Sequence, residues 1–406
     1  MNRILTTHAG SLVRPPEVVS FLNTIGAGEA YDEAAYAECL RSSVSDIVKQ
    51  QIDVGLDVID DGEIGKVSWI TYLYERVSGL ELRNIEHEGS MLPPSRDRQH
   101  FPGAYARQDA LDEAATRGSN AGGAAIEEVP SSAAVEWVCT GPMNYDRTAV
   151  DRDIANLKAA IAEHGGEETQ AFLPVVAPAS AYWLKNEHYE DEEAFVYGLA
   201  DALHEEYKAI ADSGLLLQVD DAVLMHECDS MLSEGKTYED YRAWAELRVR
   251  ALNHALRGIP EDRVRYHVCW GSWHGPHAYD PPLSDTVDLL LAVNAGYYSI
   301  EQANPRHEHE WRVWEDVKLP EGRKLIPGVV THHTNVVEHP ELVAQRLTRL
   351  ANVVGGENVI GGTDCGFAQG ALIERVHPEI QWAKLAALAE GAKIASRELW
   401  GAKAAA

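Results

Sequence analysis

Nine short runs rich in β-branched and aromatic residues recur along this chain, each followed by a stretch with apolar residues at helical spacing. The runs fall at 4–9, 56–61, 135–141, 171–177, 215–220, 265–270, 297–301, 324–330 and 358–364. Of the stretches between them, 151–164 carries Ile154, Leu157 and Ile161 at helical spacing, and 192–213 and 340–354 behave similarly. Strands that alternate with helices pair in parallel. Eight such units close a barrel, so the expected fold is α/β, a (β/α)8 TIM barrel. One run is then surplus, and 135–141 is assigned to a side hairpin.

Residues 83–132 read differently. They hold Pro93, Pro94, Gly118, Gly122 and Gly123 among mixed polar residues, with weak periodicity. They are expected to form an inserted segment, partly loop, after the second strand of a single domain spanning 1–406. Such an excursion either caps an active site or decorates the surface. With 406 residues, 45% of them hydrophobic, the chain is long enough for a large core.

The formal net charge of −29 argues against nucleic acid and anionic membranes as main partners. No apolar run reaches the roughly 18 residues that a membrane span needs. The opening residues are too short and polar for a secretory signal. Five widely spaced cysteines, an odd number, suit a reducing compartment rather than a disulfide framework. The expected location is cytoplasmic, with homo-oligomerisation left open.

In barrels of this kind the chemistry gathers at the carboxyl ends of the strands. His267 and Cys269, two apart on one run, point the same way and can reach one ion. Cys365 follows another run, and Glu301 ends a third. One nitrogen, two sulfurs and one oxygen make a plausible tetrahedral zinc set. Two thiolates and a carboxylate leave the site near −1 with a dication, electron-rich for zinc. Such an ion activates water poorly but binds an incoming thiol and keeps it nucleophilic. His274, His277, His307 and His309 lie in polar, loop-like stretches and read as solvated. Cys39, Cys139 and Cys228 have no companion motif and read as structural.

At these residues the chain resembles the cobalamin-independent methionine synthase family, in its catalytic barrel. The His-x-Cys, Ile-Glu and Asp-Cys-Gly elements occur in the family's order. The resemblance implies zinc ligands His267, Cys269, Glu301 and Cys365. It implies that Ser11, in Thr6-Thr7-His8-Ala9-Gly10-Ser11, holds a substrate carboxylate. Glu63, in Asp61-Gly62-Glu63, would bind the homocysteine amino group. Asp220, in Leu217-Gln218-Val219-Asp220, would sit between thiol and methyl donor, and His333 would deliver a proton. Trp183 falls near the position of an aromatic that stacks on folate. Asp220 is followed by Asp221-Ala222-Val223 instead of Glu-Pro-Ala. Residues Asn335-Val336-Val337-Glu338-His339-Pro340-Glu341 resemble a single-barrel branch that includes epoxyalkane:coenzyme M transferase.

The expected activity is therefore zinc-dependent alkyl transfer to a small thiol. An example is methyl transfer from 5-methyltetrahydrofolate to homocysteine. Epoxide opening or thioether cleavage by a zinc-bound thiolate is the nearest alternative. A metal-free enzyme resembling uroporphyrinogen decarboxylase is a rival of another class, and a non-catalytic zinc-stabilised binding protein is a further one.

Overall fold

The computed structural model describes residues 3–26, 29–86, 94–107, 133–166, 169–181, 184–371 and 373–401. Its strands in chain order are β1 (Leu5–Thr6), β2 (Val58–Ile59), β3 (Val77–Glu86), β4 (Ala133–Tyr145), β5 (Gln170–Val176) and β6 (Leu184–Asn186). They continue with β7 (Leu216–Asp220), β8 (Val264–Val268), β9 (Tyr297–Ile300), β10 (Lys324–Val330) and β11 (Ile360–Thr363), and end in a short antiparallel pair, β12 (Ala368–Gly370) and β13 (Ile373–Glu374). Eight of these form one parallel sheet in the order β1-β11-β10-β9-β8-β7-β5-β2. No strand ladder joins β1 to β2, but the Asp57 amide donates to the Thr6 carbonyl at 3.1 Å. The ring is thus a nearly closed TIM barrel, as the alternation of strands and helices requires.

Strands β7 and β8 are buried along their whole length. Parallel strands covered on both faces are nearly continuous in apolar residues, and Leu216-Leu217-Gln218-Val219 fits that rule. The covering helices carry legible boundaries. Helix Pro340–Val354 has proline in its first turn, and the His339 ring accepts from the Glu341 amide at 3.2 Å. It buries Val343, Leu347 and Leu350, then stops at Gly355, where φ is 91°.

The run at 135–141 lies inside β4, outside the barrel. There β4 pairs antiparallel with β3 from Val77↔Tyr145 to Glu86↔Ala133, and β6 adds in parallel. Most of 83–132 lies outside the described residues; its described parts are the end of β3 and residues 94–107. The base of this side sheet is anchored electrostatically. Arg76 is buried and bonds Asp153 at 2.8 Å and Glu206 at 3.4 Å, on two different barrel helices. Replacing Arg76 by leucine leaves the buried Glu206 carboxylate without its ion-pair partner, held only by the Tyr72 and Tyr145 hydroxyls, and leaves Asp153 to Arg152 alone. We expect a loss of about 3–5 kcal/mol in unfolding free energy, measured by denaturant titration.

Register sets the height of the side chains at the barrel mouth. Asp220 is aligned with His267, and His267 with Ser299, so three neighbouring strands present one row at the same level.

Candidate metal centre and substrate pocket

His267 sits one residue before the end of β8, and Cys269 one residue after it. Cys365 lies two residues past β11. These distant stretches bring the Cys269 and Cys365 sulfurs to 3.7 Å. Sulfurs bound tetrahedrally at about 2.3 Å from one zinc ion stand about 3.8 Å apart, so this separation suits a shared ion. One ligand atom each from His267, Cys269 and Cys365 lies within 4.8 Å of the others. The His267 Nδ1 meets Ser299 Oγ at 3.2 Å, while its buried Nε2 has no partner. One ring nitrogen oriented by a neighbour and the other idle is the arrangement of a ligating imidazole. The Cys269 thiol donates to the Cys365 sulfur. That bond holds Cys365 well below the ordinary thiol range and, together with burial, pushes Cys269 up. The donor set fits zinc.

Glu301, one residue past β9, is buried beside this group. Its Oε2 accepts from the Trp270 amide at 3.1 Å, and its Oε1 from Asn304 Nδ2 at 2.5 Å. Burial, then the charge of Asp364, raises its carboxyl well above the usual value. Its ligand atom groups with those of His332 and His333, all within 4.8 Å.

The second half of the pocket is built at the end of β2. Asp60 Oδ1 accepts from the Gly62 amide at 2.8 Å and Asp61 Oδ1 from the Glu63 amide at 2.9 Å. These two bonds fold a tight turn, and Glu63 is held at φ 55°, a region non-glycine residues seldom occupy. The turn thrusts a buried carboxylate inward rather than starting a helix. Lys66 Nζ pairs with Glu63 Oε2 at 3.1 Å and also donates to the Pro174 carbonyl. Gly10, at φ 124°, is packed so closely that a Cβ there would stand 3.1 Å from Glu63 Oε1.

Ser11 is tied to both sides. The next residue's amide donates to the Gly62 carbonyl, and the Phe367 amide donates to the Ser11 carbonyl. A Cβ on Gly366 would fall 2.0 Å from Ser11 Oγ, so that hydroxyl lies directly against the turn carrying Cys365. Asp220 Oδ1 accepts from Gln218 Nε2 at 2.9 Å. Burial, reinforced by the Glu63 charge, raises the Asp220 carboxyl well above its ordinary value. Asp221 points elsewhere, accepting from Ser180 and Tyr266 hydroxyls at 2.8 Å each.

His333 is half-buried, and burial pushes its pKa down to about 4. Its neighbour His332 is the inner of the two, fully buried. Trp183 lies outside the described residues. The reading of His277 and His307 as solvated is overturned. His307 is 3% exposed, stacks on Trp270 at 3.7 Å, and bonds Asp280 and Glu310. His277 shares the same Asp280 oxygen at 2.9 Å. The insertion's described part sits on the same rim. Asp97 accepts from the Ala278 amide, and Trp273 Nε1 donates to the Tyr105 hydroxyl at 3.1 Å. Sequence reasoning missed Lys66, Asn304 and Gln218, and of the adjacent pair His332 and His333 it gave a role only to the outer one. Only Lys66 and Asn304 had a signal, a polar group three residues after a candidate carboxylate.

The family model of the cobalamin-independent synthase catalytic domain matches residues 179–387, just over half the chain, and that stretch carries all four candidate ligands. The chain belongs to this family. It is 26% identical to a methionine synthase of Thermococcus kodakarensis over 56% of this chain. That match spans only 58% of the Thermococcus protein, little more than half its length. Two others align nearly end to end. A methionine synthase of Sulfurisphaera tokodaii is 23% identical over 97% of this chain and 93% of its own. A 2-hydroxypropyl-CoM lyase of Xanthobacter autotrophicus is 23% identical over 95% of this chain and 93% of its own. The barrel itself is shared with a B12-independent methionine synthase from Shewanella sp. W3-18-1. The TM-score is 0.68 at 17% identity, over 98% of this chain and all of the other. The chain thus shares its family, and its barrel, with methionine synthases. Among the described residues no helix is long and apolar enough to cross a membrane.

Proposed function

We propose that this synthase-family barrel is a zinc-dependent thiol alkyltransferase that moves an alkyl group, methyl in the first instance, onto the sulfur of a small thiol. The observation that carries the reading is the 3.7 Å approach of the Cys269 and Cys365 sulfurs beside the idle Nε2 of His267. His267, Cys269, Cys365 and Glu301 would hold the ion. A zinc ion bound there supplies Lewis acidity that lowers the pKa of an incoming thiol and leaves its sulfur nucleophilic.

The residues divide the remaining work. Glu301 is the donor suited to give way, because both its oxygens keep a hydrogen-bond donor when it does. Glu63 and Ser11 meet the polar end of the thiol. Asp220, a carboxyl that burial favours in its protonated form, gives its proton to the leaving group, with His333 as a second proton path. Trp183 is the residue that the family resemblance implies would stack on a flat donor, and residues 94–107 of the insertion border the rim of this single domain. In-line displacement at carbon depends on this positioning above all. Five free cysteines suit a cytoplasmic enzyme. Replacing Asn304 by alanine removes one anchor of Glu301. We expect the KM for thiol to shift by about 10–100-fold with a smaller change in kcat, read from initial rates.

One observation favours a second reading. Lys66 already pairs with Glu63, and a cation there suits a thiol with an anionic head, as in coenzyme M, better than one with an ammonium. The reaction would then be epoxide opening or its thioether-cleaving reverse. Assaying chelated and zinc-restored protein separates the readings. One arm receives methyl-tetrahydrofolate with homocysteine, the other an epoxide with coenzyme M. Activity should vanish on chelation and return with zinc in one arm. Full activity without metal would reject both, and protein purified without metal and inactive in both arms would favour the metal-free decarboxylase rival.

A further inference from the structure

We propose that Glu301, His332 and His333 form a second divalent-cation position at the carboxyl rim of the barrel, beside the His267–Cys269–Cys365 position. One donor atom of each lies within 4.8 Å of the others. Modest side-chain rotation brings three donors at that spacing to about 2.0–2.2 Å from a single ion.

The strongest sign is His332. Its side chain is 0% exposed, and neither ring nitrogen has a partner. Buried polar groups are almost always bonded, and an unbonded one costs about 1–3 kcal/mol. His333 is in the same state at Nδ1. The two imidazoles do not satisfy each other: their rings meet edge to face, with centroids 4.7 Å apart. Glu301 has capacity left. A carboxylate offers about four acceptor positions, and Trp270 and Asn304 occupy two. A cation between them would satisfy all three residues at once.

The charge pattern agrees. Two thiolates and Glu301 bring three negative charges against the two positive ones of a single ion. Of the cationic side chains nearby, Arg346 is engaged with Glu308, His277 with Asp280 and Arg375 with Gln369. Two imidazoles and a carboxylate, without sulfur, select borderline ions such as zinc, cobalt or ferrous iron. Three protein donors leave a coordination place open for an oxygen of the substrate. This second position needs the thiolate centre only as a neighbour, and when filled it takes His333 out of proton transfer and leaves that task to Asp220.

The test is a cobalt(II) titration of metal-free protein, followed by absorption and by bound metal after gel filtration. Wild type should take two equivalents, one giving a thiolate-to-cobalt charge-transfer band and one lacking it. His333→Ala, at a half-buried position, should take one equivalent and keep the band. His332→Ala should do the same, with circular dichroism as the check on its fold. Cys365→Ser should lose the band and keep the other ion. Saturation of wild type at one equivalent with the band, or two equivalents in both histidine variants, overturns the proposal. One equivalent without the band keeps this position and rejects the thiolate centre, so the two failures are told apart.

Discussion

Cys365→Ser will lose its sulfur-bound metal and, with it, at least about 1,000-fold in kcat/KM, equivalent to about 4 kcal/mol of transition-state stabilisation. The hydroxyl does not ionise near neutrality, so the exchange removes a negative ligand as well as a soft one. The Cys269 thiol loses its sulfur acceptor, 3.7 Å away, and His267 keeps an idle nitrogen in a buried place. The loss should exceed the roughly 10–100-fold that removing an outer partner of a metal ligand costs. Metal content by elemental analysis and steady-state kinetics give the answer, with thermal unfolding as the control for fold. A serine variant that retained one zinc and parental turnover would move the chemistry away from this rim.

Asp220→Asn will lower kcat by about 10²–10⁴-fold while the KM for thiol changes little, because a proton donor is removed and a side chain of the same shape remains. The pH profile supplies the second readout. Burial and the Glu63 charge raise the Asp220 pKa, so the group is protonated at pH values where an ordinary aspartate is not. An acid works while it holds its proton. The rate is therefore sustained below the folded-state pKa and falls as pH rises through it. In the asparagine variant that falling limb should flatten. A profile identical in shape to the parent's would assign the proton to another group.

How much of this could be read from the chain depends on where the determining contacts lie. The barrel was legible because β5, β7 and β10 are buried along nearly continuous apolar runs that announce themselves. The outer ladder was legible only in its second strand, where 135–141 was assigned to a side hairpin. In β3 and β4 the exposed face leaves Leu82 53% exposed and the alternation weak, so the first strand of that hairpin passed as loop. Strands β1 and β2 were expected to be six residues long and pair over only two each, because their ends bend into the pocket as Thr7–Ser11 and Asp60–Glu63. The ligand candidates stood out because strand alternation places His267 and Cys269 together. His307 did not: its partner Asp280 comes from 27 residues away, and no local window shows that a polar loop folds back to bury a charge pair. Asn304 and Lys66 gain meaning only once Glu301 and Glu63 are known to point inward.

The spacing of the two pocket sulfurs has a consequence for the empty protein. A disulfide needs sulfurs about 2.05 Å apart, so Cys269 and Cys365 would have to close only about 1.7 Å from their present 3.7 Å. The hydrogen bond from Cys269 lowers the Cys365 thiol well below its ordinary range, which favours the thiolate that oxidation requires. On the proposed reading, air competes with the metal for the same pair of atoms. Redox history and metal loading then become a single variable, and preparations handled without reductant should differ in activity for that reason alone.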